Sequence, residues 1–284
     1  MAPGTADKYH PAPMRGRSLD EDSFYPDTLR HLMHEGVLSS DMRLLVACAG
    51  KYDRDVLYEL GFTNVTISNL DVRLKGDEFE PFNWSYQDVE HLTFEDGAFD
   101  FAIVHNGLHH CFSPHRGLLE LYRVAKRGVL AFEPRDTLLV RLGIRLNFGQ
   151  QYEVAAVSHH GLEYGGVGNT GIPNFIYRWT EEEFEKTITC YAPFGKHRFI
   201  YQYAMRINWS RLSSMRNRLF AMAVRLGMPL FKLVFTVFPK QANGFAFAVE
   251  KPRIPAELHP WLQLQNGEIA VNDAWIEARY RVAR

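Results

Sequence analysis

The sequence predicts an α/β fold, a three-layer sandwich in which a mostly parallel sheet lies between two layers of helices. Two segments support this prediction, because each has the pattern of a strand, a turn, a helix and a second strand. The first covers residues 43–69 and the second covers residues 99–134. Parallel strands need a crossover of about this length, and the crossover helices cover the faces of the sheet. The 284 residues are sufficient for one large domain.

Composition indicates an ordinary globular protein. Apolar residues make up 46% of the chain, charged residues make up 23%, and the formal net charge is −1, so overall charge identifies no partner. Cys48, Cys111 and Cys190 lack the spacing of a metal site or a disulfide framework, which favours a reducing compartment. No signal-peptide pattern is present at the N-terminus. These features predict a cytoplasmic protein, with residues 1–22 as a flexible N-terminal arm.

The first half of the domain begins with a short helix over residues 24–35, which ends at a glycine. A buried strand follows over residues 43–48, and a tight turn joins it to a helix over residues 53–60. The second strand covers residues 64–69. We expect a right-handed crossover, as in nearly all such units.

The second half follows a third strand over residues 83–87 and repeats the same pattern. Residues 99–106 form an apolar run after an acidic turn with glycine, which is typical of a strand buried on both faces. Ser113 and Pro114 predict the start of a helix. Basic residues and then Gly128 predict its end as a C-cap. The next strand covers residues 128–134.

The rest of the chain elaborates this domain, which we assign to residues 23–252. A helix over residues 136–146 precedes a polar, glycine-rich lid loop over residues 147–178. Two further strands are expected at residues 199–206 and 244–250, as an antiparallel hairpin. The C-terminal tail, residues 253–284, is expected to pack on the domain.

Residues 208–241 form an insertion between the last two strands that is basic and apolar and contains no acidic residue. Arg225, Pro229 and Lys232 interrupt its apolar run, so it does not have the ~20 apolar residues of a membrane span. Two interpretations stay open. The insertion is a helical cap over a binding site, or a basic amphipathic surface for membrane lipid or a lipid-linked substrate. The cap is favoured because helices more commonly bury such a stripe.

The second half resembles class I S-adenosyl-L-methionine (SAM)-dependent methyltransferases. The positions that match the family pattern are Asp88, Val89, Leu92, Thr93, Phe94, Asp96, Gly97, Phe99, Asp100, His109, His110, Arg123, Val124, Ala125, Lys126 and Gly128. The resemblance implies a Rossmann-like fold with a seven-stranded, mostly parallel sheet and an antiparallel last strand. It also implies SAM as the cofactor.

The resemblance places the cofactor at the turn after the first strand, where the family has a glycine-rich loop. Such a loop needs a sharp turn that brings the backbone close to the ligand. Only Gly50 of the glycine pattern is kept, because Cys48 and Tyr52 occupy the positions of the other two glycines. An ordinary turn without a ligand is the alternative. The candidate cofactor residues are Cys48, Ala49, Gly50 and Tyr52 at this turn, Asn69 and Asp71 for the ribose, Asp88 and Val89 for the adenine, and Asn106.

The polar candidate residues can also be explained by purely structural roles. Asn69 and Asp71 are also typical of an exposed turn, and Asp88 is also typical of a helix N-cap. His110 is the candidate general base and His109 is the second choice, since histidine titrates near neutral pH. Either histidine can instead pack or cap a helix. No carboxylate-rich spacing accompanies the pair, so we expect no metal.

Candidate substrate contacts lie beyond the fifth strand. Arg135 either holds an anionic substrate or forms a structural bridge with Glu133 or Asp136, and the bridge is favoured. The other candidates are the lid residues Tyr152, His159, His160 and Tyr164.

The sequence therefore predicts a SAM-dependent methyltransferase that methylates an oxygen of a small-molecule, glycan or lipid-linked metabolite. A peripheral membrane contact through residues 208–241 is compatible with it. Nucleic acid is not expected as a partner, because the basic stretch lacks interleaved stacking aromatics. One alternative is a non-catalytic SAM-fold binding or assembly protein with a degenerate glycine loop. The other is a nicotinamide-dependent oxidoreductase, which the missing Gly-x-Gly-x-x-Gly pattern disfavours.

Overall fold

The computed structural model describes residues 23–147, 149–205 and 233–280, together with residues 222, 226, 227 and 230. The expected N-terminal arm, residues 1–22, and most of the insertion, residues 208–241, lie outside the described residues. At the end of the insertion, residues 233–237 are helical.

Seven strands form the central sheet. They are β1 (Leu44–Ala47), β2 (Val65–Asn69), β3 (Asn83–Tyr86), β4 (Phe99–His105), β5 (Ala125–Pro134), β6 (Arg198–Ala204) and β7 (Gly244–Glu250). Their order across the sheet is β3-β2-β1-β4-β5-β7-β6. The pairs among β1 to β5 are parallel, and β7 is antiparallel to both of its neighbours. The expected mostly parallel sheet with an antiparallel last strand is therefore confirmed.

The helices are α1 (Phe24–His34), α2 (Lys51–Glu59), α3 (Pro114–Val124), α4 (Leu138–Arg145), α5 (Val154–His159), α6 (Glu181–Tyr191) and α7 (Asp273–Tyr280). Four of them, α1, α2, α3 and α6, cover the two faces of the sheet. Alternate residues of β1 enter two separate apolar clusters. Leu44 and Val46 pack with residues of α1 and α2, whereas Leu45 and Ala47 pack with residues of α3 and α6. This alternation gives the three-layer sandwich that the sequence predicts.

The expected glycine C-cap after α3 is wrong. The helix ends at Val124, and β5 begins at the next residue. Gly128 lies inside β5, where it pairs with β4 on one side and with β7 on the other. A Cβ atom added at Gly128 would meet the carbonyl oxygen of Val249 at 2.2 Å and the ring of Phe101 at 2.6 Å. The glycine is therefore required by close packing within the sheet.

The C-terminal tail begins beside the loop that precedes β6. The Lys196 amide donates to the Glu257 carbonyl at 2.9 Å, and Gly195 forms a β-bridge with Leu258. The tail continues as an antiparallel hairpin of β8 (Leu262–Gln265) and β9 (Glu268–Val271). Among the described residues, no helix combines the length and the apolar character needed to cross a bilayer.

Acid pH is expected to destabilise the fold through His197, whose Nε2 atom lies 2.7 Å from the Tyr122 hydroxyl. Burial, with smaller effects of His259 and Lys251, lowers the pKa of His197 to about 4. A histidine in the unfolded chain titrates near pH ~6.5, so the unfolded state binds the proton more readily. The free energy of unfolding should therefore be unaffected by this group above pH ~6.5 and should fall as the pH drops towards ~4.

Urea unfolding at a series of pH values tests this expectation. His197→Gln keeps a hydrogen-bonding side chain but removes the titration, so its stability should depend less on pH across that window. If the wild-type and variant curves run parallel, His197 does not contribute to acid sensitivity.

Candidate active site

The carboxyl ends of β1, β2, β4 and β5 meet at one edge of the sheet, which we call the rim. Ligands of open parallel sheets bind at this edge. The polar residues there form two groups. One group surrounds the turn after β1 and the end of β2, and the other surrounds the turn after β4 and the end of β5.

The turn after β1 contains a non-glycine residue in a glycine conformation. Cys48 has φ 55°, in the left-handed region that favours glycine. Burial, followed by the effect of Glu133, raises the pKa of the Cys48 thiol to about 12. The thiol is thus protonated at neutral pH and is not a nucleophile. Gly50 is the N-cap of α2, and its amide donates to Oδ2 of Asp53 at 2.9 Å.

Gly107, in the turn after β4, packs directly on Cys48. A Cβ atom added at Gly107 would lie 2.3 Å from Cβ and 2.8 Å from Sγ of Cys48. The absence of a side chain at Gly107 therefore provides the space for the side chain of Cys48. The two turns are in contact at the centre of the rim.

Tyr25, on α1, is a residue of this group that the sequence analysis did not identify. Its ring stacks on His105 with centroids 4.3 Å apart, and Nδ1 of His105 lies 3.0 Å from Oδ1 of Asp53. The Tyr25 hydroxyl is buried and has no hydrogen-bond partner within the described part of the chain. Tyr52, which is 43% exposed, lies 6.1 Å from the Tyr25 ring. An unpaired buried hydroxyl next to the turn is a candidate ligand contact.

The sequence does contain a pattern that indicates burial of Tyr25. Tyr25, Leu29 and Leu32 have helical spacing, and all three are buried. That periodicity places Tyr25 on the inward face of α1, although it does not reveal the stacking on His105.

At the end of β2, the side chains of Asn69 and Asp71 both form hydrogen bonds within the protein. Asn69 donates from Nδ2 to the carbonyl of Ala49 and accepts from the Asp71 amide, each at 3.0 Å. Asp71 forms a two-point pair with Arg73, and this pair lowers the pKa of the carboxyl group. The guanidinium of Arg73 lies over the Tyr164 ring at 3.9 Å. Asn69 thus fixes the turn after β1, and Asp71 is a fixed carboxylate under the lid.

Asp88 follows β3 and caps the next turn. Its Oδ1 accepts from the Glu90 amide at 2.9 Å, and its Oδ2 lies 3.2 Å from Nδ1 of His91. The Asp88 side chain is 38% exposed, so the carboxylate remains accessible. Val89 is buried. The capping role and a ligand role are both compatible with this geometry.

The second group centres on Glu133, at the end of β5. Its Oε1 accepts from the amides of Gly107 and Leu108 at 3.0 and 2.7 Å, and its Oε2 lies 2.6 Å from Nδ1 of His109. Burial opposes protonation of His109, but Glu133 and then Glu153 raise its pKa to about 9. His109 therefore carries a proton at neutral pH and is a poor general base.

The pKa of His110 is shifted in the opposite direction to that of His109. Burial, and then the charge of His109, lowers the pKa of His110. Its Nε2 lies 3.4 Å from Oε2 of Glu153, and the same oxygen lies 3.3 Å from Nε2 of His109. The His110 side chain is 30% exposed. His110 is thus a neutral, accessible imidazole at the rim, which suits a general base.

Asn174 anchors the lid to this group. Its Nδ2 donates to the His109 carbonyl at 3.0 Å and to Oε2 of Glu153 at 3.3 Å. Asn106 precedes the pair in the left-handed conformation, with φ 54°, and its amide donates to the Phe132 carbonyl. Sequence analysis missed Glu153 and Asn174 because their role depends on how the lid folds back.

Arg135 forms a structural bridge, but with a different partner from those expected. Its Nη2 lies 2.6 Å from Oε2 of Glu181, and its Nη1 donates to the Lys240 carbonyl. The expected partners are engaged elsewhere, since Glu133 binds the β4 turn and Asp136 pairs with Arg141. Arg135 is buried, so its guanidinium is not presented to a substrate.

The remaining lid candidates lie apart from one another. The Tyr152 ring packs edge-on against Phe175 with centroids 5.6 Å apart. His159 is exposed, and its Nδ1 lies 2.6 Å from the Ala155 carbonyl oxygen. His160 is also exposed and contributes to the lowered pKa of Asp71. His160 and Tyr164 are therefore on the cofactor side, near the end of β2.

Residues 46–132 match the family model of a methyltransferase domain. No curated protein sequence matches the chain. A SAM-dependent methyltransferase from Methanosarcina mazei is 14% identical, with a TM-score of 0.46 over 77% of this chain and 96% of that one. The magnesium protoporphyrin IX methyltransferase of Synechocystis PCC 6803 is 12% identical, with a TM-score of 0.47 over 81% and 83% of the two chains. The matched segment runs from β1 to β5 and includes both turns at the centre of the rim.

Proposed function

We propose that the chain, whose residues 46–132 match the methyltransferase-domain family model, uses SAM to methylate an oxygen atom of a small-molecule, glycan or lipid-linked acceptor. We choose oxygen as the methylated atom because His110 at the rim is neutral and accessible. A hydroxyl must lose its proton when it is methylated, and a neutral imidazole can accept that proton.

The residues of the first group fit the cofactor. We assign the turn of Cys48, Ala49 and Gly50, with Tyr52, to the methionine end, where the unpaired Tyr25 hydroxyl supplies a polar contact. We assign Asn69 and Asp71 to the ribose side and Asp88 and Val89 to the adenine side, with Asn106 between the two groups. When bound, SAM would supply a methyl group on a positively charged sulfur. The sulfur is a good leaving group because it becomes neutral when the methyl group is transferred.

His110 is proposed to act on the acceptor side. The acceptor hydroxyl would give its proton to the imidazole of His110 while its oxygen forms a bond to the methyl carbon. One oxygen–carbon bond forms and one sulfur–carbon bond breaks, so the products are a methylated acceptor and S-adenosylhomocysteine. The role of His109 would be to hold the turn, because its Nδ1 is bound to Glu133. Positioning provides most of the rate enhancement in such a transfer.

An apolar surface beside the rim supports an acceptor with a lipid part. Helix α4 has no buried residue, and Leu138 and Leu142 are 72% and 51% exposed. Thr137, the N-cap of α4, donates to the Gln241 carbonyl at the end of the insertion. Helix α4 therefore lies next to the C-terminal end of the insertion, and we propose that the helix and the insertion contribute to a peripheral membrane contact of a cytoplasmic protein.

Calorimetric titration with SAM and with S-adenosylhomocysteine tests the cofactor site. We expect micromolar binding of both, and Asp88→Ala should weaken it about 10-fold to 100-fold, since a hydrogen bond to a charged group contributes about 1.5–3 kcal/mol. Asp77→Ala is the matched control, because Asp77 is exposed in the short 3₁₀ helix before β3. If the folded protein binds neither ligand, the non-catalytic binding or assembly protein becomes the better interpretation.

A further inference from the structure

We propose that His109, His110 and Glu153 form a binding site for a divalent transition-metal ion. Each of the three side chains offers one ligand atom, and these atoms all lie within 4.8 Å of one another. The site lies on the acceptor side of the rim. Binding of SAM does not require this ion, but an ion on Nε2 of His110 would replace the role of that nitrogen as a general base, because a metal-bound nitrogen cannot accept a proton.

The separations of the ligand atoms fit a shared metal ion. Oε2 of Glu153 is 3.3 Å from Nε2 of His109 and 3.4 Å from Nε2 of His110, whereas Oε2 of Glu133 is 2.6 Å from Nδ1 of His109. Two ligands bound at about 2.0–2.1 Å to a tetrahedral zinc ion lie about 3.3 Å apart. Each histidine is therefore separated from Glu153 as two ligands of one ion would be.

A buried carboxylate supports the first ligand from behind. Oε2 of Glu133 lies 2.6 Å from Nδ1 of His109, and the carboxylate is itself held by the amides of Gly107 and Leu108. This contact fixes the ring and directs Nε2 towards Glu153. Metal-binding histidines almost always have such a partner on the nitrogen that does not bind the metal. The His109–Glu133 pair therefore has the arrangement of a metal ligand and its supporting carboxylate.

Asn174 provides an independent observation at the same place. It is 2% exposed, and its Nδ2 donates to Oε2 of Glu153. Its Oδ1 is buried and has no hydrogen-bond partner among the residues that the structure describes. A buried carbonyl oxygen without a partner is costly, so a bound water or ligand next to Asn174 would stabilise this part of the rim.

The ligand set indicates the class of metal. Two imidazoles and one carboxylate suit zinc, cobalt or iron in the divalent state and are poor ligands for magnesium or calcium. Three protein ligands also leave a coordination position open, as in catalytic zinc sites. At the rim this position would take a water molecule or an oxygen atom of the acceptor.

Titration of metal-free protein with Co²⁺ tests the site, because coordinated cobalt absorbs visible light. We expect one Co²⁺ ion per chain, displaced by Zn²⁺. His110→Asn and Glu153→Gln each remove one ligand and should weaken Co²⁺ binding about 10-fold or more. Glu133→Gln should weaken it about 10-fold to 100-fold through loss of the support for His109.

His34→Gln is the control, since His34 is an exposed histidine on α1 outside the rim. It should bind Co²⁺ as the wild type does. The side chains of His110 and Glu153 are 30% and 29% exposed, so both substitutions should preserve the fold, as circular dichroism can verify. Wild-type protein without a cobalt spectrum, or three folded variants with unchanged affinity, would overturn the proposal in favour of a network held by hydrogen bonds.

A separate titration with SAM keeps this result distinct from the proposed function. None of the three metal ligands is among the residues assigned to the cofactor, so SAM binding should be measurable in metal-free protein. Co²⁺ binding without SAM binding would leave the metal site in place and remove the methylation proposal. The opposite result would remove only the metal site.

Discussion

Glu133→Ala is expected to lower the free energy of unfolding by about 3–5 kcal/mol, the usual effect of breaking a buried charged pair. Glu133 is 2% exposed, and its carboxylate accepts from two backbone amides and pairs with His109. Alanine would leave the amides of Gly107 and Leu108 and the imidazole of His109 without this partner. Buried donors that lose their acceptor carry the full desolvation cost.

Glu133→Gln distinguishes hydrogen bonding from charge. The amide oxygen of glutamine can accept from both backbone amides, and its nitrogen can donate to Nδ1 of a neutral His109. We therefore expect the glutamine variant to keep most of the stability that the alanine variant loses. The pKa of His109 should nevertheless fall from about 9, because the largest effect that raises it is the charge of Glu133.

Urea unfolding at neutral pH measures the stabilities, and NMR titration of the His109 ring measures the pKa. Glu153→Gln is the matched control, since Glu153 is a partner of the same histidine but its side chain is 29% exposed. Its loss of stability should be well below that of Glu133→Ala. Equal losses in these two variants would mean that burial of Glu133 does not matter, and an unchanged His109 pKa in Glu133→Gln would contradict the assigned cause.

The sequence predicts the sheet well because the strands are encoded locally. Residues 99–105 are an apolar run after a turn, and the structure contains β4 there. The location of the rim follows as well, since the carboxyl ends of parallel strands meet at one edge. Gly128 shows the limit of local patterns. A glycine after basic residues is typical of a C-cap, but its actual role depends on Val249, a residue more than a hundred positions away.

The network around His109 could not be predicted for the same reason. Glu133 comes from β5 and Glu153 from the lid, and only the folded chain brings their carboxylates to the two nitrogens of one imidazole. The sequence analysis consequently found no carboxylate near the histidine pair. The choice of His110 over His109 as the base stays a prediction. The opposite pKa shifts support it, because Glu133 and Glu153 raise the pKa of His109 whereas burial lowers the pKa of His110.

Gly107→Ala is expected to destabilise the protein by about 1–3 kcal/mol and to abolish SAM binding, because it overpacks the contact between the two turns of the rim. The backbone at Gly107, with φ −118° and ψ −29°, can accommodate alanine. The effect is therefore steric. The new Cβ would lie 2.3 Å from Cβ of Cys48, and both groups belong to backbone turns that cannot move apart easily. Urea unfolding and calorimetric titration with SAM measure the two effects.

A second substitution at Cys48 tests this cause. Cys48→Gly removes both atoms that the new methyl group would meet, and glycine favours the φ of 55° at that position. The double variant should therefore recover most of the stability and SAM affinity, with a coupling energy of about 0.5–3 kcal/mol between the two sites. Cys48→Ala keeps the Cβ atom, so adding it to Gly107→Ala should restore neither. Equal rescue by alanine and glycine would show that the sulfur atom, rather than Cβ, causes the conflict, and no rescue by glycine would locate the conflict at Val104, whose Cγ2 would lie 3.1 Å from the new Cβ.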